Sequence, residues 1–322
     1  MPRYPGISSE AFRHPLDREA EKALRSLPGF DLVARKFVEF LSERPQFVYH
    51  MGNSIQVGPR QYASLYQLFR ECVTSLDMSP EPALFVSQNP LANAYALGQE
   101  KPLLTIYSGL LDVMGETEMR AILAHELGHI KCGHTTLSQM SIWLLQTMMF
   151  VGQVTLGLSN LVLSSGLLLA LYEWKRKSEL SADRAALLAT DNAEGVLQSM
   201  VRIAGGSVNH GHELSLEEFK RQAARYEELD RDNLNQVYKF FLYNNLGQGV
   251  FLSHPFVVER VKYLEEWAAS SEYRNIQNGN YQRDDATGAV DTTTVSTEAA
   301  AERLRREMEA LQKEIDRLKQ KP

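Results

Sequence analysis

Glu118-Met119-Arg120-Ala121-Ile122-Leu123-Ala124 runs directly into His125-Glu126-Leu127-Gly128-His129, and these twelve positions decide how the 322-residue chain is read. The approach combines strong helix formers with apolar residues at helical spacing, which predicts a helix through the whole stretch. On a helix, residues four apart lie nearly one above the other, so His125 and His129 can reach one metal ion from a single face. Glu126 points about a quarter-turn away, beside an open coordination position, where a carboxylate can act as general base on a metal-activated water. Gly128 costs about 1 kcal/mol relative to alanine inside a helix. That cost is understandable if another backbone or a bulky group packs close to the metal helix there.

Two histidines leave a catalytic zinc one protein ligand short, so a third His, Asp or Glu must come from elsewhere in the chain. His134 is nearest in sequence, but Gly133 and His134 are both out of register for a third histidine six residues beyond the second. Glu179 is the better candidate. It lies in Ser178-Glu179-Leu180-Ser181-Ala182-Asp183-Arg184-Ala185, a helical pattern that puts Glu179 and Asp183 on one face. Glu179 can then ligate zinc, while Asp183, one turn on, accepts a hydrogen bond from the second nitrogen of a ligating histidine. Taken alone, such an acidic pair is ordinarily a solvated helix face. The histidine motif is what turns it into a ligand candidate.

From Pro82 to Trp267 the chain resembles the HtpX-type and CAAX-prenyl-protease-type zinc metallopeptidases, on several motifs in the same order. Asn93-Ala94-Tyr95-Ala96 is similar to their substrate-side strand, and Leu104 to Asp112 to the strand and turn before the metal helix. Glu179 to Asp183 is similar to their Glu-x-x-x-Asp element, and Ser253-His254-Pro255 with Glu259-Arg260 to a later histidine-proline loop. The resemblance implies one zinc per chain held by His125, His129 and Glu179, with Glu126 as base and Asp183 behind a ligand. It implies substrate contacts at Asn93 and Ala94, and it puts His254 and Arg260 at the mouth of the site. There a donor would stabilise the oxyanion, or a histidine on a loop would occupy the open zinc position and hold the enzyme latent. On their own, a His before Pro and an Arg on the next helix are ordinarily a turn residue and a surface charge.

The length and ordinary apolar content allow one sizeable core with appendages. A net charge of −6, without basic and aromatic residues interleaved, gives no reason to expect a nucleic-acid partner. Cys72 and Cys132 are the only cysteines, and neither has a partner at zinc-ligand spacing, so a reducing, cytoplasmic setting is expected. Met1 to Gly6 leads to no apolar core of a secretory signal.

The fold class expected is α+β and mainly helical: a zincin-like metallopeptidase domain with a small β-sheet, then a linker and a C-terminal coiled-coil helix. Region 1–80 reads as helical. One apolar stripe, Leu16 to Leu27, ends at Pro28-Gly29, a second ends near Pro45, and a third runs from Tyr62 to Leu76. Region 81–271 is the expected catalytic domain, with strands at Ala83–Ser87, Ala92–Leu97 and Leu103–Tyr107. An exposed strand edge there would hold an extended peptide by backbone pairing. Between Cys132 and Tyr172 there is no Asp, Glu, Lys or Arg. An apolar helical hairpin over 137–172 has two readings: a soluble hairpin packed on the core or a partner, or one that enters a membrane with Trp143, Tyr172 and Trp174 at the interface. Residues 272–297 read as a flexible polar linker. In 298–320, Leu304, Met308, Leu311, Ile315 and Leu318 form a coiled-coil seam of just over two heptads, short enough to leave three outcomes open: self-association, docking on a partner, or a frayed single helix.

The function these residues point to is a zinc-dependent metalloendopeptidase acting on polypeptides, with protein quality control at a membrane as the setting the resemblance implies. An alternative from another class is a catalytically silent, zinc-bound scaffold that assembles partners through the C-terminal coiled coil. Retention of Glu126 argues against it, because a structural site has no need of a proton shuttle. An exopeptidase would require a charge that binds a chain terminus, and no motif in the sequence identifies one.

Overall fold

The computed structural model describes residues 2–40, 43–151, 167–230 and 257–284. A short 3-10 turn at Ser9–Ala11 leads into α1 (Pro15–Arg25), α2 (Phe30–Phe40), α3 (Glu43–Asn53), β1 (Ile55–Gln56) and α4 (Ala63–Ser75). Then come β2 (Ala83–Ser87), β3 (Ala94–Leu97) and β4 (Leu103–Tyr107). Helices α5 (Ser108–Val113), α6 (Glu116–Lys131), α7 (His134–Val151), α8 (Leu167–Thr190), α9 (Ala193–Gly205), α10 (Leu216–Asp230), α11 (Val257–Ala268) and α12 (Ser271–Gln277) follow. The described residues are mainly helical with one small mixed sheet, an α+β arrangement.

Local chemistry accounts for the helix ends that matter to the site. Pro15 opens α1, where a missing N–H costs nothing, and the His14 Nδ1 caps it by accepting from the Leu16 amide at 3.1 Å. Helix α6 begins with Glu116 and Glu118 near its positive end. It stops at Cys132, and Gly133 then adopts φ +71, a left-handed conformation that glycine takes without strain. That single residue reverses the chain and brings His134, the first residue of α7, back toward the end of α6.

The sheet order is β1-β2-β4-β3. β2 and β4 are parallel, in register from Ala83 opposite Leu103 to Ser87 opposite Tyr107, and β3 runs antiparallel to β4 with Ala94 opposite Ile106. Leu84, Val86, Leu104 and Ile106 point into the main core, with Leu65, Phe69, Leu123 and Leu127. Phe85 points the other way and meets Phe47 and His50 of α3 at ring-centre distances of 5.9 and 5.5 Å. The two buried strands thus alternate between layers as a period of two requires. The predicted strands at 83–87 and 103–107 have the observed bounds, and the middle one starts two residues later, at Ala94.

Helix α6 lies at the centre, packed against α8, α4, α9 and β3. Its central residues are buried on every side, including His125, Glu126 and Gly128. The first helices share cores with the rest of the unit Met1–Gln282: Tyr4, Ile7 and Phe12 join the main core. Leu24, Phe30, Val33 and Phe37 form a second core with Leu137, Met140, Leu144, Leu167, Leu171 and Trp174.

Several expectations are revised by the structure. The second apolar stripe does not end the helical region at Pro45: this proline sits in the first turn of α3, where its ring and missing N–H are tolerated. The linker expected from 272 begins as an ordered helix, because Tyr273 and Ile276 of α12 are buried in the main core and Ser270 caps the helix through the Tyr273 amide. The described ends of the 137–172 hairpin are covered by α1 and α2, and Trp174, which one reading put at a membrane interface, is fully buried. Among the described residues no helix is long and apolar enough to cross a membrane. The middle of that hairpin, the remainder of the linker after 284, and the coiled coil of 298–320 lie outside the described residues.

Candidate metal centre

Helices α6 and α8 each contribute one face to a buried cluster. His125 and His129 of α6 turn their Nε2 atoms to within 3.2 Å of each other. Each also faces a carboxylate oxygen of Glu179 on α8, at 3.3 Å from His125 and 3.4 Å from His129. One ligand atom from each of the three residues lies within 4.8 Å of the others, and among the described residues this is the group of His, Cys, Asp and Glu that could hold a metal ion. Donors bound to one tetrahedral zinc at about 2.0–2.1 Å lie about 3.3 Å apart, so the imidazole–imidazole and imidazole–carboxylate spacings fit such an ion. The donor set also fits in kind, with two borderline nitrogens and a hard oxygen, leaving a fourth position for water or substrate.

A second layer holds this arrangement. His125 places its Nδ1 3.0 Å from Asp183 Oδ1, so the carboxylate fixes the ring with Nε2 turned to the cluster. Arg260 of α11, also buried, donates from Nε to Asp183 Oδ2 at 2.7 Å, from Nη1 to Glu179 Oε2 at 3.1 Å, and from Nη2 to Asp183 Oδ1. Its planar fork therefore spans the candidate ligand Glu179 and the carboxylate behind His125. Burial opposes the charge on Asp183, but Arg260 and the His125 hydrogen bond outweigh it and hold this carboxyl below its usual range. For His125, burial favours the neutral ring, yet hydrogen bonds to Asp183 and Glu179 prevail and raise its pKa. Burial keeps the His129 imidazole neutral, lowering its pKa to about 4 against the pull of Glu179.

His129 is backed differently. Its Nδ1 lies 3.0 Å from His134 Nδ1, and His134 Nε2 lies 3.0 Å from Asp17 Oδ2 on α1. His134 is thus not drawn into the ligand cluster but packs behind it, with Trp174 edge-on at 5.7 Å. Sequence reasoning missed Asp17 altogether. No spacing rule could have found it, because 117 residues separate it from His134.

The remaining expected residues sort as follows. Glu126 is buried on α6 and lies within electrostatic reach of Lys175 and Arg260. Lys175, on the face of α8 one turn before Glu179, is a second charge that the motif reading had not placed at the site. Ala94 begins β3 and is buried, and the Asn93 carbonyl accepts from the Tyr107 amide at 3.0 Å, so both sit at the end of the strand that packs on the metal helix. His254 lies outside the described residues.

The sequence model for peptidase family M48 matches residues 59–268, a span that holds the histidine motif, Glu179, Asp183 and Arg260. The chain belongs to peptidase family M48. Within the family, it is similar to the plastoglobule-localized metallopeptidase 48 of Arabidopsis thaliana, at 30% identity over 84% of this chain and 76% of that protein. It is also similar to a Protease HtpX homolog of Thermoplasma volcanium, at 25% identity over 70% of this chain and 78% of the relative. No solved structure matches the chain. As an M48 member it is a metalloprotease that acts on polypeptides, and the His-His-Glu cluster is its candidate metal site.

Proposed function

We propose that this M48 protein is a zinc-dependent metalloendopeptidase in which His125, His129 and Glu179 hold the ion and Glu126 moves the proton. The observation that carries the reading is the meeting of three ligand atoms from two helices at spacings suited to one tetrahedral ion. Zinc bound there supplies Lewis acidity, which polarises a peptide carbonyl and makes a water acidic enough to be activated near neutral pH.

The chain's own residues do the rest. Glu126 takes the proton from the attacking water and returns it to the leaving amine as the C–N bond breaks. Asp183 fixes the His125 ring, and Arg260 steadies both Asp183 and Glu179, which supports a positioning role for this arginine deep in the site. An extended substrate pairs its backbone along β3, the terminal strand of the described sheet, starting near Asn93 and Ala94. His254, from the resemblance, either stabilises the oxyanion or gates the open position: His254→Ala lowers turnover in the first case and raises it in the second. Two buried free cysteines support a reducing, cytoplasm-like setting.

The test is Glu126→Gln assayed on an unfolded polypeptide, with zinc content measured on the same sample. The reading requires retained zinc and lost cleavage; a variant cutting at the wild-type rate overturns it.

A further inference from the structure

The hydrogen bonds behind His129, on the side away from the cluster, run in one direction. Asp17 is fully buried, and its Oδ2 stands 3.0 Å from His134 Nε2, 2.7 Å from Ser181 Oγ and 2.8 Å from Arg13 Nε, while its Oδ1 accepts from Arg13 Nη2 at 3.2 Å. Burial works against its charge, but His134 and Arg13 outweigh it and hold the carboxyl below its usual range. An ionised carboxylate only accepts, so the His134 Nε2 must carry a proton. When Nε2 holds the one proton of the His134 ring, Nδ1 presents a lone pair, and the 3.0 Å contact to His129 Nδ1 is a hydrogen bond that His129 donates. With its proton on Nδ1, His129 turns a bare Nε2 to the cluster, as a metal ligand must.

We propose that Asp17 and His134 are positioning residues, a carboxylate–imidazole relay that fixes the tautomer and the ring orientation of His129 for metal binding. The two ligand histidines are therefore supported unequally: His125 meets its carboxylate directly, whereas His129 reaches one through an interposed ring. The carboxylate comes from α1, which precedes the residues 59–268 that match the family model. Residues of α1 and the turn before it, Arg13 and Asp17, thus complete a centre whose ligands all come from later helices. Ser181 ties the same carboxylate to α8, two residues past Glu179, and its Oγ also accepts from the His14 amide at 3.0 Å. Helix α1 is consequently docked against the ligand-bearing helix at the point where the relay crosses.

The inference rests on the zinc reading, and the experiment separates the two. The full chain is compared with His134→Leu, His134→Gln and Asp17→Asn, recording zinc affinity by chelator competition. Loss of an outer partner of a metal-bound histidine weakens affinity about 10–100-fold, and that loss is expected for His134→Leu. His134→Gln restores the polarity, since its carbonyl accepts from His129 and its amide donates to Asp17, so its affinity is expected within a few-fold of wild type. Asp17→Asn weakens zinc about tenfold, which serves where the leucine variant does not fold.

Wild-type protein that binds no zinc sinks the metal reading itself. Wild-type zinc binding with unchanged affinity in a folded His134→Leu or in Asp17→Asn overturns the relay alone. So does glutamine behaving no better than leucine.

Discussion

A Cβ placed on Gly128 of α6 would stand 2.6 Å from the Cβ of Ala185 on α8 and 3.1 Å from the Cα of Ala182. The two helices that carry the candidate ligands therefore touch through the smallest residues available, with His129 adjacent to one side of the contact and Asp183 to the other. Gly128→Ala gains about 1 kcal/mol of helix propensity. It must also push two backbones apart, and overpacking of this kind costs about 1–3 kcal/mol. The clash is the larger effect because the obstruction is backbone and Cβ, not the end of a flexible side chain. Thermal unfolding is expected to show a lower midpoint, and metal titration a weaker affinity. A variant more stable than wild type would remove the close approach.

Arg260 reaches both Glu179 and Asp183 with its donors. Arg260→Met leaves those carboxylates buried without it, and removing one partner from a buried charge cluster costs about 3–5 kcal/mol. The loss is expected in metal-free protein by denaturant unfolding and is smaller when zinc is bound, since the ion's charge offsets it. Equal losses in the two states would mean that Arg260 does not steady the metal ligands. Arg260→Lys keeps the charge but lacks the planar fork, so weaker zinc binding is expected there as well.

His14 links pH to stability at the α1 end of the site. Burial, with Arg184 nearby, holds its pKa down at about 4, and its Nδ1 must stay unprotonated to accept from the Leu16 amide. The unfolded chain takes up this proton near the ordinary value of about 6.5, so between there and about 4 it binds more protons than the folded protein. Stability from this group is complete above that window and is lost as pH falls through it. His14→Asn keeps a good helix cap and removes the titration. Denaturation midpoints from pH 7 to 4 are expected to fall less in this variant than in wild type, and parallel curves would refute the assignment.

The centre was legible where ligands follow helical periodicity, and much less so where they meet only through the fold. Four-residue spacing put His125 over His129 and Glu179 over Asp183, and both pairs share a face of one helix as the period requires. The strands at 83–87 and 103–107 were equally plain, being apolar runs bounded by turn residues. Pro45 misled because its position in a helix decides its effect: in the first turn it fits, further along it breaks. Tyr273 and Ile276 were hidden by the polar residues around them, since a two-residue anchor leaves no periodic signal. The link from Asp17 through His134 to His129 exists only because Gly133 turns α7 back and α1 docks on α8, and neither event is written in a local pattern.

In the proposed mechanism Glu126 serves turnover and not metal binding. Removing a general acid–base group lowers rate by about 10²–10⁴-fold, so Glu126→Gln is expected to lose cleavage by that order while keeping the wild-type zinc stoichiometry. Cleavage and zinc lost together would point instead to a structural role for this carboxylate.

Anomalous diffraction at the zinc edge, from crystals of the zinc-loaded protein, tests the centre most directly. The account predicts one peak at about 2.0–2.2 Å from His125 Nε2, His129 Nε2 and a Glu179 carboxylate oxygen. No peak among these three side chains, or zinc held by other residues, would contradict it.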